Sequence, residues 1–225
     1  MKIFKSKAFY IICLSVLSAA IIAGTVVYFA VIRPRQEQEE WMAKVQAYRD
    51  AKVEQYRKEN EEFDDYEVDV AFLGDSLTDG YDLQKYYPQY VTANRGIGGD
   101  TTFDLEGRLE VSVYDLKPKV AVMLIGANNP DSMFENYESI LKGFQENLPE
   151  PKVVLLSLTA MGGEFWGSKN QIAAYNNVTI ELLAEKYGYT FVDLYTPLYD
   201  VSIREVYDGY TTDGGHFSHE GYVVL

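Results

Sequence analysis

Ser76, in "FLGDSLTDG", directly follows an apolar run, and a serine placed there becomes a nucleophile only if a base can reach it. The chain has two histidines, His216 and His219, both within "TTDGGHFSHEGY" at residues 211–222. Asp213 precedes His216 by three positions with Gly214 and Gly215 between them. A tight turn there lets the carboxylate reach the far ring nitrogen of His216 and hold the tautomer that a general base needs. His219 has only Glu220 beside it, which on a helix would point elsewhere. Acyl transfer also needs hydrogen-bond donors for the developing oxyanion. "NRGIGGDTT", residues 94–102, brings three glycines whose backbone can approach a ligand closely, and "LIGANN", residues 124–129, sets Asn128 three residues beyond an apolar run.

Each motif also has a plainer reading. Serine and aspartate are favoured at helix starts, Asp213 could close an Asx turn, the glycines could form a simple turn, and Asn128 could cap a helix. The serine does not sit in a G-x-S-x-G elbow, because Thr78 takes the place of the second glycine. His216-x-x-His219 could be half of a metal site, yet there is no third histidine, and the sole cysteine, Cys13, lies in an apolar run. No metal site and no organic cofactor is therefore expected. The co-occurrence of nucleophile, base, orienting carboxylate and donors favours ester chemistry over four unrelated turns.

Those residues need elements to hold them. Apolar runs at 68–73, 91–94, 120–125, 153–158 and 190–194 read as strands, and the segments near 82–88, 101–116, 131–147 and 168–187 read as helices. Strands apolar on both faces, alternating with helices, indicate a parallel sheet covered on each side. Ligands bind such sheets at the carboxyl ends of the strands. The serine, glycine and asparagine motifs each follow a strand candidate, and "DGGH" lies in the last loop.

With these blocks in this order, residues 68–222 resemble the GDSL-type, or SGNH, hydrolases. The blocks are "FLGDSLTDG", "NRGIGGDTT", "LIGANN" and "DGGHFSHEGY". The resemblance implies a flavodoxin-like three-layer α/β/α sandwich around a five-stranded parallel sheet. It also implies Ser76 as nucleophile, His216 as general base and later acid, and Asp213 as the orienting carboxylate. The backbone N–H groups of Ser76 and Gly99 and the side-chain amide of Asn128 would form the oxyanion hole. Gly99 is preferred to Gly98 because the family glycine immediately precedes the Asp of "GDT", here Asp100. Two departures stand out. Asn129 replaces the Asp usual after the family asparagine, which would alter local hydrogen bonding without removing the donor. The sequence also stops at "GYVVL", where the family continues through most of a C-terminal helix, so a short helix or a fragment is expected.

The remainder of the chain points to a membrane. Residues 8–32 carry no charge and are long enough to cross a hydrocarbon core of ~30 Å as a helix. A cleaved signal peptide is the alternative, since Lys2, Lys5 and Lys7 precede an apolar run and Ser18-Ala19-Ala20 offers small residues. Cleavage would leave the apolar run Ile21–Ile32 on the mature protein, which favours an uncleaved anchor. Cys13 follows Ile12, where a lipobox would need a small residue. Three lysines before the span against Arg33 and Arg35 after it place the N-terminus inside and the large C-terminal part outside. The expected organisation is a cytoplasmic segment at 1–7, an anchor at 8–32, a charged helical stalk at 33–65 and the hydrolase domain at 66–225. The stalk is rich in helix formers, and its apolar stripe is too interrupted for a sustained coiled coil. All 34 acidic residues and all but three of the 20 basic ones follow residue 32, a balance that excludes electrostatic binding of nucleic acid or of an anionic bilayer surface.

An extracytoplasmic, tethered esterase faces envelope polysaccharides, so O-acetyl groups of glycans are the first expectation for the ester substrate. A lysophospholipase or other lipid esterase is the second, because the anchor also brings the site near the bilayer. An O-acyltransferase would use the same residues, whereas a non-catalytic envelope binding module would have no need of them. Phe165 and Trp166, in "TAMGGEFWGSKN" after the fourth strand candidate, could stack on a sugar ring or line an acyl pocket.

Overall fold

The computed structural model describes residues 7–148 and 152–225. The expected cytoplasmic segment thus lies outside the described residues, save Lys7. The chain divides into two compact units, Met1–Ala51 and Lys52–Leu225.

The first unit is helical throughout its described part. Helix α1 spans Lys7–Val27, a wider five-residue turn spans Tyr28–Ile32, and α2 begins at Arg33 and runs to Asn60. After Lys7, α1 is uncharged and apolar, and among the described residues no core buries it: Ile11, Leu14, Ile21 and Val26 are all exposed. Their mean hydropathy in the most apolar window is 2.3, and the helix is long enough to cross a membrane. In α2, Pro34 occupies the first turn, where its missing N–H costs nothing, and Arg33 pairs with Glu37 one turn on at 2.8 Å.

In the second unit, β1 (Val70–Gly74), β2 (Thr92–Gly96), β3 (Val120–Leu124), β4 (Lys152–Leu156) and β5 (Thr190–Val192) form one sheet in the order β2-β1-β3-β4-β5. Every pair in it is parallel. The helices are α3 (Ser76–Asp79) and α4 (Leu83–Tyr86) between β1 and β2, α5 (Thr102–Glu106), α6 (Phe134–Asn147), α7 (Gly163–Tyr187), α8 (Tyr195–Leu198) and α9 (His219–Val224). A two-stranded antiparallel ribbon, β6 (Tyr199–Asp200) with β7 (Glu205–Val206), precedes the last loop.

Alternation along the strands divides the core between the two faces. Leu73, Ala121, Met123, Val153 and Leu155 join Leu105, Tyr137, Ile140, Phe144, Ala173 and Ile180 from α5, α6 and α7. Leu124 and Leu156 point the other way, to Leu77, Leu198 and Phe217 around α3, α8 and α9. This is the expected three-layer sandwich. The apolar runs extend beyond the ladder, so Val68, Ile125 and Leu158 are buried outside the paired strands. The helix expected at 101–116 is interrupted: α5 ends at Glu106 with Gly107 as its C-cap, and a wider turn spans Glu110–Tyr114.

The segment read as a stalk, 33–65, does not end as a solvated linker. Its residues from Lys52 onward belong to the second unit, where Tyr56 is 1% exposed and packs with Ile97 and Val111. A tyrosine in a charged helix is buried there because its ring meets apolar side chains while its hydroxyl donates to the Gly96 carbonyl.

Register sets the site. Gly74 lies opposite Gly96 on one side and Leu124 on the other, so β1, β2 and β3 end at one level. Ser76, Gly99 and Asn128 each follow within four residues of that level. It is also where the strand order reverses, with β1 between β2 and β3.

Candidate active site

Ser76 opens α3, and the preceding residue explains why a helix starts there. Asp75 accepts the Leu77 N–H at 3.1 Å as an N-cap and is itself 2% exposed. Burial, reinforced by the nearby Asp100 carboxylate, pushes its pKa up to about 6 despite that hydrogen bond. The Ser76 Oγ is 3.0 Å from Nε2 of His216.

On the other side of the imidazole, Nδ1 lies 2.8 Å from Asp213 Oδ2. Oδ1 of Asp213 accepts the backbone N–H groups of Gly215 at 3.0 Å and His216 at 2.8 Å, so the carboxylate is fixed by the turn it closes. Partial burial opposes its charge. The donors of His216 and Gly215 outweigh that and hold the carboxyl well below the usual carboxylate range. One carboxylate thus closes the Asx turn and also meets the imidazole.

Two glycines make this loop possible. Gly214 has φ +90°, and a Cβ there would lie 2.0 Å from the Gly162 carbonyl oxygen, while one on Gly215 would lie 2.5 Å from the Trp166 ring. Trp166 stands edge-on to the His216 imidazole, with centroids 5.5 Å apart. Helix α7 begins at Gly163, earlier than the expected 168, so Phe165 and Trp166 lie in its first turn. They diverge: Trp166 lines the pocket beside Ser76, whereas Phe165 is 67% exposed and lies outside that lining, its ring packed edge-on against Trp166.

The expected oxyanion donors are close to the same place. Asn128 lines the pocket with Ser76 and His216. Its Nδ2 donates to the Asp100 carbonyl at 2.9 Å, which aims the amide and leaves its second hydrogen available. The Gly98 N–H is taken by Asp79 Oδ2 at 3.0 Å and the Asp100 N–H by the Ile97 carbonyl at 3.1 Å. Gly99 between them has φ +82° and open space where a Cβ would stand, and its N–H donates to no group among the described residues. The Ser76 N–H, in the first turn of α3, has no intrahelical partner. Asn129 binds Thr102 twice, accepting its N–H at 3.2 Å and donating to its Oγ1 at 2.9 Å. An Asp in its place could not donate the second bond.

A residue outside the motifs braces these segments. Arg108, 7% exposed, donates to Asp100 at 2.7 Å, to the Arg95 carbonyl at 2.9 Å and to the Gly74 carbonyl at 3.0 Å. It thereby joins the ends of β1 and β2 to the loop that aims Asn128. The sequence signal is a charge three residues after Leu105 and one before Leu109, on a segment otherwise buried by its apolar side chains.

His219 is 2.6 Å from the Tyr86 hydroxyl and 3.1 Å from Lys85 Nζ through its Nδ1, turned to α4 and absent from the pocket lining. No cluster of three metal-ligating side chains occurs among the described residues. The cavity against Ser76 is about 10 Å³, partly open, and lined by Ala127, Thr159, Met161 and Trp166 among others. Its accessible space is close to that of one water molecule.

The family model for GDSL-like lipases and acylhydrolases matches residues 72–224. Among curated proteins, the chain is similar to the alpha2 subunit of platelet-activating factor acetylhydrolase IB from Homo sapiens, 34% identical over 107 residues. That stretch covers 44% of this chain and 47% of the relative, so the match spans about half the length of the curated relatives. Among solved structures, one from Streptococcus pneumonia assigned as a platelet activating factor is 26% identical, with a TM-score of 0.73 over 86% of this chain and 94% of that one. A GDSL-like lipase from Bacteroides thetaiotaomicron is also 26% identical, with a TM-score of 0.68 over 76% and 92%.

Proposed function

This chain belongs to the GDSL-like lipase/acylhydrolase family, and we propose that it is a membrane-tethered serine esterase that removes short acyl groups, acetyl above all, by a Ser76-His216-Asp213 triad. The observation that carries this reading is the continuous line from Asp213 through the His216 ring to Ser76, at 2.8 and 3.0 Å, ending beside the small cavity.

The chemistry follows from that line. Asp213 keeps the proton on Nδ1, so Nε2 presents its lone pair to the Ser76 hydroxyl. Ser76 Oγ attacks the ester carbonyl as His216 takes its proton, and the new oxyanion is met by the N–H groups of Ser76 and Gly99 and the amide of Asn128. Collapse expels the alcohol, protonated by His216. Water, deprotonated by the same imidazole, then releases the carboxylic acid.

The small cavity suits an acetyl group, whereas a longer acyl chain would have to crowd Trp166 and Met161 or turn toward the open side. The curated relative's name, an acetylhydrolase, points to the same acyl group. On the alcohol side the first candidate is a glycan, since an extracytoplasmic domain faces envelope polysaccharide and the exposed Phe165 ring offers a stacking surface. An acetylated lipid is the second reading, favoured by the apolar α1. Export of the domain rests on the lysine bias before α1, and protease shaving of intact cells would remove the domain in that orientation and spare it in the reverse one.

The test is a chain-length series of p-nitrophenyl esters with the full chain in detergent, beside Ser76→Ala. The expected order is acetyl over butyryl, with octanoyl far behind and no turnover in the variant. A preference for octanoyl would remove the short-acyl assignment, and normal turnover by Ser76→Ala would remove the nucleophile.

A further inference from the structure

We infer that the end of α2, at the residues Lys52, Tyr56, Glu59 and Asn60, is a positioning element for the oxyanion loop, with Lys52 and Tyr56 as its principal residues. This rests on the reading of Gly99 as an oxyanion donor.

Lys52 Nζ lies 2.7 Å from Asp79 Oδ1, with the lysine side chain 22% and the aspartate 15% exposed. That shielding separates the pair from a solvated ion pair of the same helical segment, Arg57 with Glu54, whose side chains are 59% and 50% exposed. Asp79 is the last residue of α3, the four-residue helix that Ser76 begins. Its other carboxylate oxygen, Oδ2, accepts the Gly98 N–H at 3.0 Å. One carboxylate therefore connects the nucleophile's helix, the residue before Gly99 and a lysine of α2.

A second attachment lies two residues upstream in the same loop. The Tyr56 hydroxyl donates to the Gly96 carbonyl where β2 ends. Arg95, fully buried, pairs with Glu59, donates to Asn60 Oδ1 at 3.0 Å and lies 4.7 Å from the centre of the Tyr56 ring. Residues 95–98 are thus held by α2 at Arg95 and Gly96 directly, and at Gly98 through Asp79. Gly99 is the next residue, in open space at φ +82°, where an unsupported glycine has many conformations to choose from. An oxyanion donor acts only if it is already aimed when charge develops, and a misplacement of about 1 Å can cost as much as ~10²-fold in rate.

The consequence is that the helix leading from the apolar segment contributes directly to catalytic geometry. A catalytic unit cut at residue 66, or cleaved inside Lys52–Asn60, would keep Ser76, His216, Asp213 and Asn128 and still turn over slowly.

The test uses the full chain in detergent with Lys52→Met, Lys52→Arg, Tyr56→Phe and Asn128→Ala, assayed on p-nitrophenyl acetate. Active sites are counted with a fluorophosphonate, and Tm is measured for each variant. Lys52→Met and Tyr56→Phe are expected to lower kcat about tenfold per titrated site, leave KM within twofold and still take up one phosphonate per chain, more slowly than wild type. Lys52→Arg is expected to recover most of the loss. A purely structural role would lower Tm and the number of titratable sites together, with kcat per site unchanged, and would overturn the inference. So would wild-type turnover in both Lys52→Met and Tyr56→Phe. Severe loss in Asn128→Ala beside such variants would leave the oxyanion reading standing and the role of α2 refuted, whereas wild-type turnover in Asn128→Ala would remove that reading and the inference with it.

Discussion

Asp213 binds His216 twice: Oδ2 meets the ring Nδ1 at 2.8 Å, and Oδ1 accepts the histidine's own backbone N–H at 2.8 Å. One carboxylate both closes the turn that places the imidazole and meets its ring. Asp213→Asn keeps an oxygen for the backbone but can face Nδ1 with an N–H, which favours the wrong tautomer and turns Nε2–H toward Ser76. The expected loss in kcat is about 10⁴-fold, with Tm nearly unchanged. A loss below tenfold would mean that Asp213 does not orient the base.

Asn128 offers one amide hydrogen to Asp100 and the other to the pocket. Asn128→Ala is expected to reduce kcat about 10²–10³-fold while KM for a small ester changes little, because the bond is strongest in the transition state. A change confined to KM would assign Asn128 to ground-state binding instead.

Asp75 has its pKa raised from 3.8 to about 6, chiefly by burial. A raised carboxyl binds its proton more tightly in the folded chain, so its contribution to stability is complete below pH 4 and is lost as pH rises through about 6. Asp75→Asn keeps the carbonyl that caps α3 and removes this dependence. The variant's Tm should match wild type near pH 4 and exceed it above pH 6, the underlying gain in unfolding free energy having a ceiling of about 3 kcal/mol. A flat or inverted difference across pH 4–8 would show that the buried carboxylate is compensated.

Trp166 both walls the cavity and braces Gly215 and His216. Trp166→Ala should therefore lower turnover of the acetyl ester and raise the butyryl-to-acetyl ratio in kcat/KM, by about 10-fold or more on the usual scale for methylene discrimination. An unchanged ratio would move acyl selection elsewhere in the pocket.

Pattern and chemistry were legible in the sequence to different depths. Alternating apolar runs were enough for the parallel sheet, because strands buried on both faces leave a strong local signal. "DGGH" and "GDS" could be paired across some 140 residues because the chain has so few histidines. What escaped depends on contacts that no local pattern encodes. Lys52 and Tyr56 sit in a helix of ordinary solvated composition, and only the fold brings them to Asp79 and Gly96. Arg108 likewise looks like a surface charge until the ends of β1 and β2 surround it. Phe165 and Trp166 could not be separated by sequence, since one residue's difference within the first turn of α7 turns one ring into the pocket and the other to solvent.

Activation of Ser76 by His216 is measured by intact-protein and peptide mass spectrometry after reaction with a fluorophosphonate. A single adduct on Ser76 in the wild-type chain, none in Ser76→Ala and strongly slowed labelling in His216→Ala are expected. An adduct on another residue, or one that persists in Ser76→Ala, would show that Ser76 is not the nucleophile.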